Sequence, residues 1–567
     1  MSNVPSVTLS ATRMIQDLEA GFGITRFYGV SGANIEVLFA EAEKEAALHS
    51  RKVILAKHEF SAGCMAEASA RISRQPSAVL TTSGAGALTL VPALGEAFAS
   101  RTPLLALAGD VPTRSVGQGA FQEASGLRGT FDLHATLASV SRYCKRIESE
   151  AQWNEALIEA QKIFESKSIS GPVTLILPRD VQLQEWNTSP FEPKPQSNTT
   201  LPPELKPLIE ALNRPQKWTI VAGEEILRQG ARHEFLNFIQ RMGCPVVVTA
   251  NTKALIPSDD SAFAGICGVI GHESARDTLR SAQSVLVIGT SLPAADRYGI
   301  EAELLRPERM VFSLSAEPSF VPSLKWAIET CDLRNVLTQL KHSITHENEP
   351  QELTLPRTAI TQTKSSQRLT IEKVSEILSE FTREVPMHVI GDAGNASAGV
   401  ARDLQLHPDS TFTLALGMGG MGYSFGASVG AVTASSNSAQ PALVLAGDGS
   451  FFMHGMEIHT AVEHSLPILF IILNNQAHAM CASREELYLG TSARAQQFKP
   501  SQIASGLGAL FPSLRILSAD SDDGLRAAIR ELKPFKSPIV LEIRLESREM
   551  PPFLPFQDHL RSQTHER

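Results

Sequence analysis

Residues 442–475, ALVLAGDGSFFMHGMEIHTAVEHSLPILFIILNN, decide the fold of this chain. Two continuous apolar runs, 442–446 and 468–473, flank a stretch with helical spacing, which predicts a strand–helix–strand unit. Strands that are apolar on both faces are typical of a parallel sheet covered by helices on both sides. The carboxyl ends of the two strands therefore lie at one edge of the sheet, and they bring Asp448 and Asn475 to one crevice.

This crevice carries the donor groups of a magnesium–diphosphate site. The carboxylate of Asp448 and the amide oxygen of Asn475 are hard oxygen ligands of the kind that Mg²⁺ prefers. Gly449 and Ser450 place backbone N–H groups at a helix N-terminus, where a phosphate binds. A tight turn with an asparagine cap would be a purely structural interpretation. The 24 residues between GDG and NN, with a helix between two strands, favour the metal and diphosphate site.

The same alternation of apolar strand, small-residue turn and helix recurs along the whole chain of 567 residues. The apolar runs lie at 52–56, 78–82, 104–108, 173–177, 219–222, 245–249, 285–289, 311–314, 387–390, 442–446, 468–473 and 539–543. Stretches rich in Pro, Ser, Thr and Asn at 186–203 and 343–367 are typical of linkers and leave blocks 1–185, 204–342 and 368–550, with a tail at 551–567. We therefore expect three consecutive α/β domains, each a doubly wound parallel sheet.

Composition excludes several broad classes of protein. A net charge of −9 with a pI near 6.0 argues against a general nucleic-acid binder. The apolar stretches have the length of strands, so we expect no membrane span, and we see no signal peptide at the N-terminus. The six cysteines are scattered without a CxxC pair, which is typical of reduced thiols in a cytoplasmic protein.

The GDG-x24-NN segment resembles the fingerprint of the thiamin-diphosphate (ThDP) family. The three-block layout resembles the pyruvate-oxidase and acetohydroxyacid-synthase branch of that family, which implies pyrimidine-binding, central and diphosphate-binding domains in this order. The resemblance implies that Asp448, Asn475 and the main-chain carbonyl of Ala477 bind Mg²⁺. It also makes Asn395 and Ser397, which follow the run at 387–390, polar contacts of the diphosphate.

The resemblance also assigns the proton chemistry to Glu59, which ends the segment 52–59, KVILAKHE. A glutamate at this strand–helix junction bonds N1′ of the aminopyrimidine and drives the imino tautomer that activates C2 of the cofactor. By itself, Glu59 could equally be a helix-starting residue favoured by the helix dipole. The glycine-rich segment 416–423, LGMGGMGY, implies main-chain bonds to the aminopyrimidine at Gly419 and Met421. The Met421 side chain would support the bent conformation of ThDP.

Further matches lie in the first block and just after the NN pair. The segments 82–87 (TSGAGA), 27–32 (FYGVSG) and 119–123 (GAFQE) resemble segments of acetohydroxyacid synthases. They place Gly84 at the cofactor, and Gly32, Phe121 and Gln122 near the reacting carbon, while Met480 matches a cofactor-contacting methionine. In the family the first domain of one subunit meets the third domain of another. The resemblance therefore implies a homodimer or homotetramer with active sites at the subunit interface.

The acceptor pocket departs from the acetohydroxyacid-synthase pattern. Arg484 occupies the place of a tryptophan that shapes this pocket, so it could bind an anionic acceptor, and His478 could line the same pocket. The segment 289–297, GTSLPAADR, resembles GaRFDDR but is longer and lacks the first arginine. Arg297 could therefore hold an acceptor carboxylate, and FAD in the central domain would lack one contact. Alternatively, Arg484 is an ordinary solvated helix residue.

Two sister activities require histidines at other places. Pyruvate-decarboxylase types carry a His-His pair, and benzoylformate-decarboxylase types carry a histidine beside the TSG turn, but this chain has neither. We therefore expect decarboxylation of a 2-oxo acid, with transfer of the acyl anion to an acceptor as in acetolactate synthase. Pyruvate is the first candidate for this 2-oxo acid. The alternatives are a specialised carboligase of secondary metabolism and a simple 2-oxo acid decarboxylase. The joint presence of Glu59, Asp448 and Asn475 disfavours a non-catalytic regulatory homologue.

Overall fold

The computed structural model describes residues 7–44, 46, 48–187, 191, 204–321, 324, 326–329, 332–345, 368–434, 440–532, 535–546 and 549–565. Most of the two predicted linkers, 186–203 and 343–367, lies outside the described residues. Within the described residues, no helix is long and apolar enough to cross a membrane.

The first α/β domain contains a six-stranded parallel sheet and a separate pair of short strands. The strands of the domain are β1 (Val7–Leu9), β2 (Arg26–Gly29), β3 (Lys52–Leu55), β4 (Ser77–Thr81), β5 (Leu104–Asp110), β6 (Tyr143–Arg146), β7 (Pro172–Pro178) and β8 (Glu185–Asn187). Its helices are α1 (Ser10–Phe22), α2 (Glu36–Glu43), α3 (Glu59–Ser73), α4 (Ala85–Ser100), α5 (Leu133–Ala138) and α6 (Glu150–Glu165). The sheet order is β3-β2-β4-β5-β7-β6, and β1 and β8 pair antiparallel beside it.

The second domain repeats this architecture. Its strands are β9 (Trp218–Ala222), β10 (Val246–Val248), β11 (Phe263–Ile266), β12 (Ser284–Ile288), β13 (Met310–Ser315) and β14 (Trp326–Glu329). Its helices are α7 (Lys206–Leu212), α8 (Glu225–Arg228), α9 (Arg232–Met242), α10 (Glu273–Ser281), α11 (Ala294–Arg297), α12 (Glu301–Leu304) and α13 (Leu333–Ser343). The six strands are parallel in the order β11-β10-β9-β12-β13-β14.

The third domain also contains a six-stranded parallel sheet. Its strands are β15 (His388–Gly391), β16 (Thr411–Leu414), β17 (Ala442–Gly447), β18 (Ile468–Asn474), β19 (Arg515–Ala519) and β20 (Ile539–Arg544). They lie in the order β16-β15-β17-β18-β20-β19. The helices are α14 (Ile371–Thr382), α15 (Asn395–Asp403), α16 (Tyr423–Thr433), α17 (Asp448–His454), α18 (Ile458–Glu463), α19 (Ala479–Arg484), α20 (Ile503–Leu510), α21 (Asp522–Arg530) and α22 (Leu554–His565). The predicted fold class, three parallel α/β domains in series, is confirmed.

Two helices join the first and third domains through small residues. Helix α3 is almost entirely buried, and α16 lies directly against it. A Cβ atom on Gly426 would lie 2.5 Å from the Ser61 carbonyl oxygen, and one on Gly430 would come even closer to the Met65 carbonyl oxygen. Only glycine allows this backbone contact, so the two glycines hold the first domain against the third.

Part of the segment expected to form a tail, 551–567, lies against its own chain. Phe553 and Phe556 are buried in the largest hydrophobic core, which the second and third domains share. The Arg276 guanidinium of α10 pairs with the Asp558 carboxylate of α22 at 3.0 Å. These contacts stabilise the C-terminal helix on the second domain.

Candidate active site

The ends of β17 and β18 bring the GDG and NN turns together. The strands pair in register up to Gly447 and Leu473. Asp448 then begins α17 and is 1% exposed; its Oδ1 accepts the Gly449 N–H at 3.1 Å, and its Oδ2 has no hydrogen-bond partner among the described residues. Burial raises the pKa of Asp448 to about 7, although the backbone N–H groups of Gln476 and Gly449 lower it in part. The carboxylate is thus buried at the meeting point of both turns without a counter-charge.

The two asparagines at the end of β18 have different surroundings. The Asn474 Nδ2 donates to Glu542 at 2.7 Å, and its Oδ1 accepts the Gln476 N–H at 3.3 Å, so this side chain supports the turn. The Asn475 side chain forms no hydrogen bond within the described part of the chain, although the residue is 8% exposed. Gln476 adopts a φ of +59°, which bends the chain sharply after Asn475. Asn475, and not Asn474, is therefore available to a ligand.

A second strand-end turn contributes two further unpaired groups. The Oδ1 of Asn395 and the hydroxyl of Ser397 are buried and have no hydrogen-bond partner among the described residues, while the Asn395 Nδ2 donates to Ser483 at 3.0 Å. A buried polar atom left unpaired costs about 1–3 kcal/mol. These two groups and the Asp448 Oδ2 fit a polar ligand with a metal ion and a diphosphate, as the donor set of the sequence predicts.

Asp392 is a site residue that the sequence reasoning missed. Its carboxylate is 1% exposed and accepts the Gly422 N–H at 2.9 Å, the Ser424 hydroxyl at 2.7 Å and the Ser450 hydroxyl at 2.7 Å. It therefore ties the glycine-rich turn and the GDG turn to the end of β15. The sequence signal that could have identified Asp392 is a lone carboxylate between the end of a strand and a glycine, in the segment 391–394. The Ser450 hydroxyl is therefore engaged within the protein, which leaves its backbone N–H for a ligand.

Met421 and His478 converge on the GDG turn. A Cβ atom on Gly449 would lie 2.8 Å from the His478 Nδ1 and 3.3 Å from the Met421 Cε. The His478 ring packs edge-on against Phe498 with centroids 4.7 Å apart, and an antiparallel bridge joins Ala477 to Gln497. Both side chains are therefore placed beside the turn that carries Asp448.

The glycine-rich turn itself is fixed from the first domain. Glu96 of α4 accepts the N–H groups of Gly417 at 3.1 Å and Met418 at 2.6 Å. Gly419 has a φ of +65°, a conformation that favours glycine, and lies between this anchor and Met421. Glu96 is a second residue of the site region that the sequence reasoning did not identify.

The three remaining residues after the NN turn and in the second domain make mostly local contacts. Met480 is half-buried and packs against the hydrophobic core. Arg484 is exposed, and its Nε donates to the Met480 carbonyl oxygen at 3.4 Å within its own helix. Arg297 pairs with Glu301 at 3.1 Å and donates to the Leu292 carbonyl oxygen at 3.0 Å. Arg484 is thus free of ion pairs within the described residues, whereas Arg297 is engaged in its own segment.

Glu59 begins helix α3, where the His58 side chain accepts the Phe60 N–H and caps the helix. The Thr89 hydroxyl donates to the Glu59 Oε2 at 2.9 Å. A Cβ atom on Gly86 would lie 3.0 Å from the Glu59 Oε1, so the start of α4 lies directly against the carboxylate. Contacts from α4 therefore hold the glutamate, at the start of α3, in one orientation.

The other first-domain residues gather at the same sheet edge. A Cβ atom on Gly32 would lie 2.8 Å from the Thr82 Cβ, and one on Gly84 would lie 3.2 Å from the Gln122 Cβ. The Thr82 hydroxyl donates to the Gln122 Oε1 at 3.3 Å. The ends of β2 and β4 thus bring Gly32, Gly84 and Gln122 together.

Glu123 organises the loop that presents Phe121 and Gln122. Its carboxylate accepts the N–H groups of Gly119 at 2.8 Å and Ala120 at 3.1 Å and the Ser125 hydroxyl at 2.6 Å. These bonds lower the pKa of Glu123 to about 2. Phe121 remains 82% exposed, an unusual state for a phenylalanine.

The Glu59 group of the first domain and the Asp448 group of the third lie close to each other. The His454 ring, at the end of the helix that Asp448 begins, packs against His58 and Phe60 with centroids 4.9 and 4.6 Å apart. Within the described residues, the Glu59 and Asp448 carboxylates themselves share no hydrogen bond. Both groups are accompanied by exposed apolar side chains: Leu88, Phe121, Leu127 and Phe131 in the first domain, and Leu416, Met418, Phe452, Met453 and Met456 in the third.

The carboxyl edge of the second sheet offers little room for a flavin. The turns after β9 and β12 touch each other, because a Cβ atom on Gly223 would lie 2.4 Å from the Thr290 Cβ. The Glu225 carboxylate accepts the Ala316 N–H at 2.9 Å and the Ser315 hydroxyl at 2.8 Å, groups at the end of β13 that would otherwise face a phosphate. These residues do not fit a dinucleotide at the point where the strand order reverses.

Comparisons with known proteins agree with this arrangement. The models of the thiamine pyrophosphate enzyme N-terminal, central and C-terminal domains match residues 10–128, 205–357 and 392–543. The chain is 23% identical to the acetolactate synthase isozyme 1 large subunit of Escherichia coli, over 93% of this chain and 92% of that protein. It is 25% identical to the mitochondrial acetolactate synthase catalytic subunit of Saccharomyces cerevisiae, over 88% and 76% of the two chains.

The fold has a solved counterpart. The X-ray structure of a "putative thiamin diphosphate-dependent enzyme" from Mycobacterium smegmatis matches with a TM-score of 0.78 at 21% identity, over 95% of this chain and 100% of that one. The three matching domain models cover most of the chain and follow the order of its three sheets. The chain belongs to the thiamine pyrophosphate-dependent enzymes and is related to the acetolactate synthases.

Proposed function

We propose that this protein is a ThDP- and Mg²⁺-dependent enzyme that decarboxylates a 2-oxo acid and transfers the acyl anion to an acceptor. Pyruvate is the first candidate for the 2-oxo acid. The observation that carries the proposal is the set of buried, unpaired oxygens on Asp448, Asn395 and Ser397 at one sheet edge. Bound ThDP supplies the electron sink that stabilises the carbanion left after decarboxylation. The acetolactate synthase relatives support carboligation as the fate of that carbanion.

The residues of the third domain would hold the cofactor. Asp448, Asn475 and the Ala477 carbonyl would bind Mg²⁺, while the Gly449 and Ser450 N–H groups, Asn395 and Ser397 would bind the diphosphate. Gly419 and Met421 bind the pyrimidine through the main chain, and Met421 supports its bent conformation. Asp392 keeps these turns together because it accepts hydrogen bonds from the glycine-rich turn and from the GDG turn.

The first domain would supply the proton chemistry. Glu59 holds a proton at N1′ of the pyrimidine, and the Thr89 hydroxyl fixes its orientation. Gln122 and Phe121 lie near the reacting carbon, with Gly32 and Gly84 leaving room for the substrate. As the family resemblance implies, we propose a homodimer or homotetramer in which two copies complete each site. The exposed apolar side chains around both groups support this assembly.

The acceptor would meet the site near the start of α19. Arg484 is the better candidate for an anionic acceptor group, because Arg297 is already engaged by Glu301. Simple decarboxylation is the second candidate function, and His478 favours it, since its imidazole lies against Gly449 and could protonate the carbanion. We propose that no flavin takes part, because the edge of the second sheet is filled by protein groups.

Product analysis by mass spectrometry decides between the two functions. The protein with ThDP and Mg²⁺ is incubated with pyruvate alone and with pyruvate plus a panel of 2-oxo acids and aldehydes. Carboligation predicts acetohydroxy acids or other coupled products, whereas simple decarboxylation predicts the free aldehyde. Absence of any pyruvate turnover, with ThDP binding shown by calorimetry, would remove pyruvate as the donor.

A further inference from the structure

A cavity of about 350 Å³ lies where the three domains meet. The first domain contributes the end of α3, the second contributes α8 and Asn251, and the third contributes residues 409–413. Glu59 stands at the opposite end of α3, about 20 Å away along a 15-residue helix. The cavity is therefore distinct from the candidate active site, and it also lies beside α8 rather than above the closed turns of β9 and β12.

The lining of this cavity is unusually basic. Its cationic side chains outnumber its acidic ones, which are Glu224 and Asp409. The cationic side chains are Arg71, Arg74, Arg101, Lys167, Arg228 and Arg232. A partly open cavity with this excess of positive charge attracts anions, because the surrounding protein screens charge less than water does.

Nearby carboxylates neutralise only part of this charge. Arg71 pairs with Glu67 at 2.8 Å and also with Glu224. A single carboxylate, Glu317, is shared by Arg101 at 2.5 Å and Arg228 at 2.8 Å. Arg101 and Arg228 thus carry two positive charges against one carboxylate. The Arg101 Nε is buried without a hydrogen bond among the described residues.

Three further cations have no carboxylate partner within the described residues. Arg232 donates only to backbone carbonyl oxygens, among them that of Pro408 at 2.6 Å. Arg74 and Lys167 form no ion pair there and are exposed at the mouth of the cavity. Even after Asp409 is counted, the lining keeps a surplus of positive charge.

The cavity wall also contains apolar side chains among its charged and polar ones. Ile72, Pro103, Phe164, Leu227 and Phe412 line the cavity between the charged groups. We propose that this cavity binds a small organic polyanion, a phosphate ester with an apolar or ring-shaped body. Guanidinium groups present planar forks of donors that suit phosphate oxygens. Because the lining comes from all three domains, such a ligand also stabilises their arrangement.

The test uses the full chain saturated with ThDP and Mg²⁺, so that the diphosphate site is filled. Calorimetry at about 150 mM salt measures binding of ADP, with inorganic phosphate as the second anion and adenosine as the neutral probe. The test variant is Arg74→Ala with Lys167→Ala, which removes cations that form no ion pair. The control is Arg383→Ala with Lys217→Ala, two exposed cations outside the cavity.

We expect one ADP per chain, no binding of adenosine, and roughly 10-fold or weaker affinity in the test variant, since charge-assisted hydrogen bonds contribute about 1.5–3 kcal/mol. The control variant stays within about twofold of the native chain. Binding of inorganic phosphate without binding of ADP would show a simple anion site and would overturn the organic ligand. The proposal is overturned if neither anion binds, or if the test variant binds as tightly as the control.

Discussion

Asp448 is buried at the end of β17, and one of its carboxylate oxygens is unpaired. We therefore expect this carboxylate to bind a cation rather than to stabilise the fold. We predict that Asp448→Ala abolishes ThDP binding, because no metal ion would then neutralise the charge of the diphosphate in the crevice. Calorimetric titration with ThDP and Mg²⁺ measures this. Asp523→Ala, on the exposed start of α21, is the matched control, and unchanged affinity in Asp448→Ala would refute the metal site.

Glu59 is predicted to act on bound cofactor rather than to bind it. Glu59→Gln keeps the size of the side chain and can retain the bond from Thr89, but an amide cannot exchange a proton with N1′. We expect unchanged ThDP affinity and a rate loss on the order of 10²–10⁴-fold, the usual scale for acid–base groups. Exchange of the C2 proton of bound ThDP, followed by NMR, reports this step, and exchange at the native rate would exclude the role.

At the scale of elements, the loop 117–125 depends on one carboxylate. Glu123 has a folded pKa of about 2 against an ordinary value of 4.5, so its contribution to stability is full above pH 4.5 and is lost as the pH falls towards 2. We predict that Glu123→Gln lowers the unfolding temperature at pH 7 and that the difference from the native chain shrinks below pH 4.5. Thermal unfolding by circular dichroism between pH 7 and 3 measures this. Glu185→Gln on exposed β8 should show no such pH dependence.

At the scale of the whole molecule, the proposed homodimer predicts active sites that are shared between two copies. If each site takes Glu59 from one copy and Asp448 from its partner, a mixed dimer of Glu59→Gln and Asp448→Ala chains contains one intact site. Co-expression of the two inactive chains should then restore about 25% of native activity, because about half of the dimers are mixed and each keeps one of two sites. If each chain held its own complete site, the mixture would stay as inactive as its parts.

Most of the strands that the sequence determined are buried on both faces, although the edge strand β3 is an exception. All twelve predicted apolar runs lie in strands, and the alternation with helices gave parallel sheets, because a strand inside such a sheet must be continuously apolar. The missed strands include β6, β14 and β19, which lie at sheet edges and mix charged or polar residues with apolar ones. An edge strand needs only one neighbour, so its local pattern carries less information.

The positions of the site residues divide in the same way. The meeting of Asp448 and Asn475 followed from the sequence, because consecutive parallel strands end at one edge. Only the tertiary structure showed that Asp392 bonds the glycine-rich turn and the GDG turn, and that Glu96 holds the glycine-rich turn. Hydrogen bonds between residues far apart in the chain leave no local periodicity in the sequence. The packing of whole domains decides them, and that packing depends on contacts such as Gly426 and Gly430 against α3.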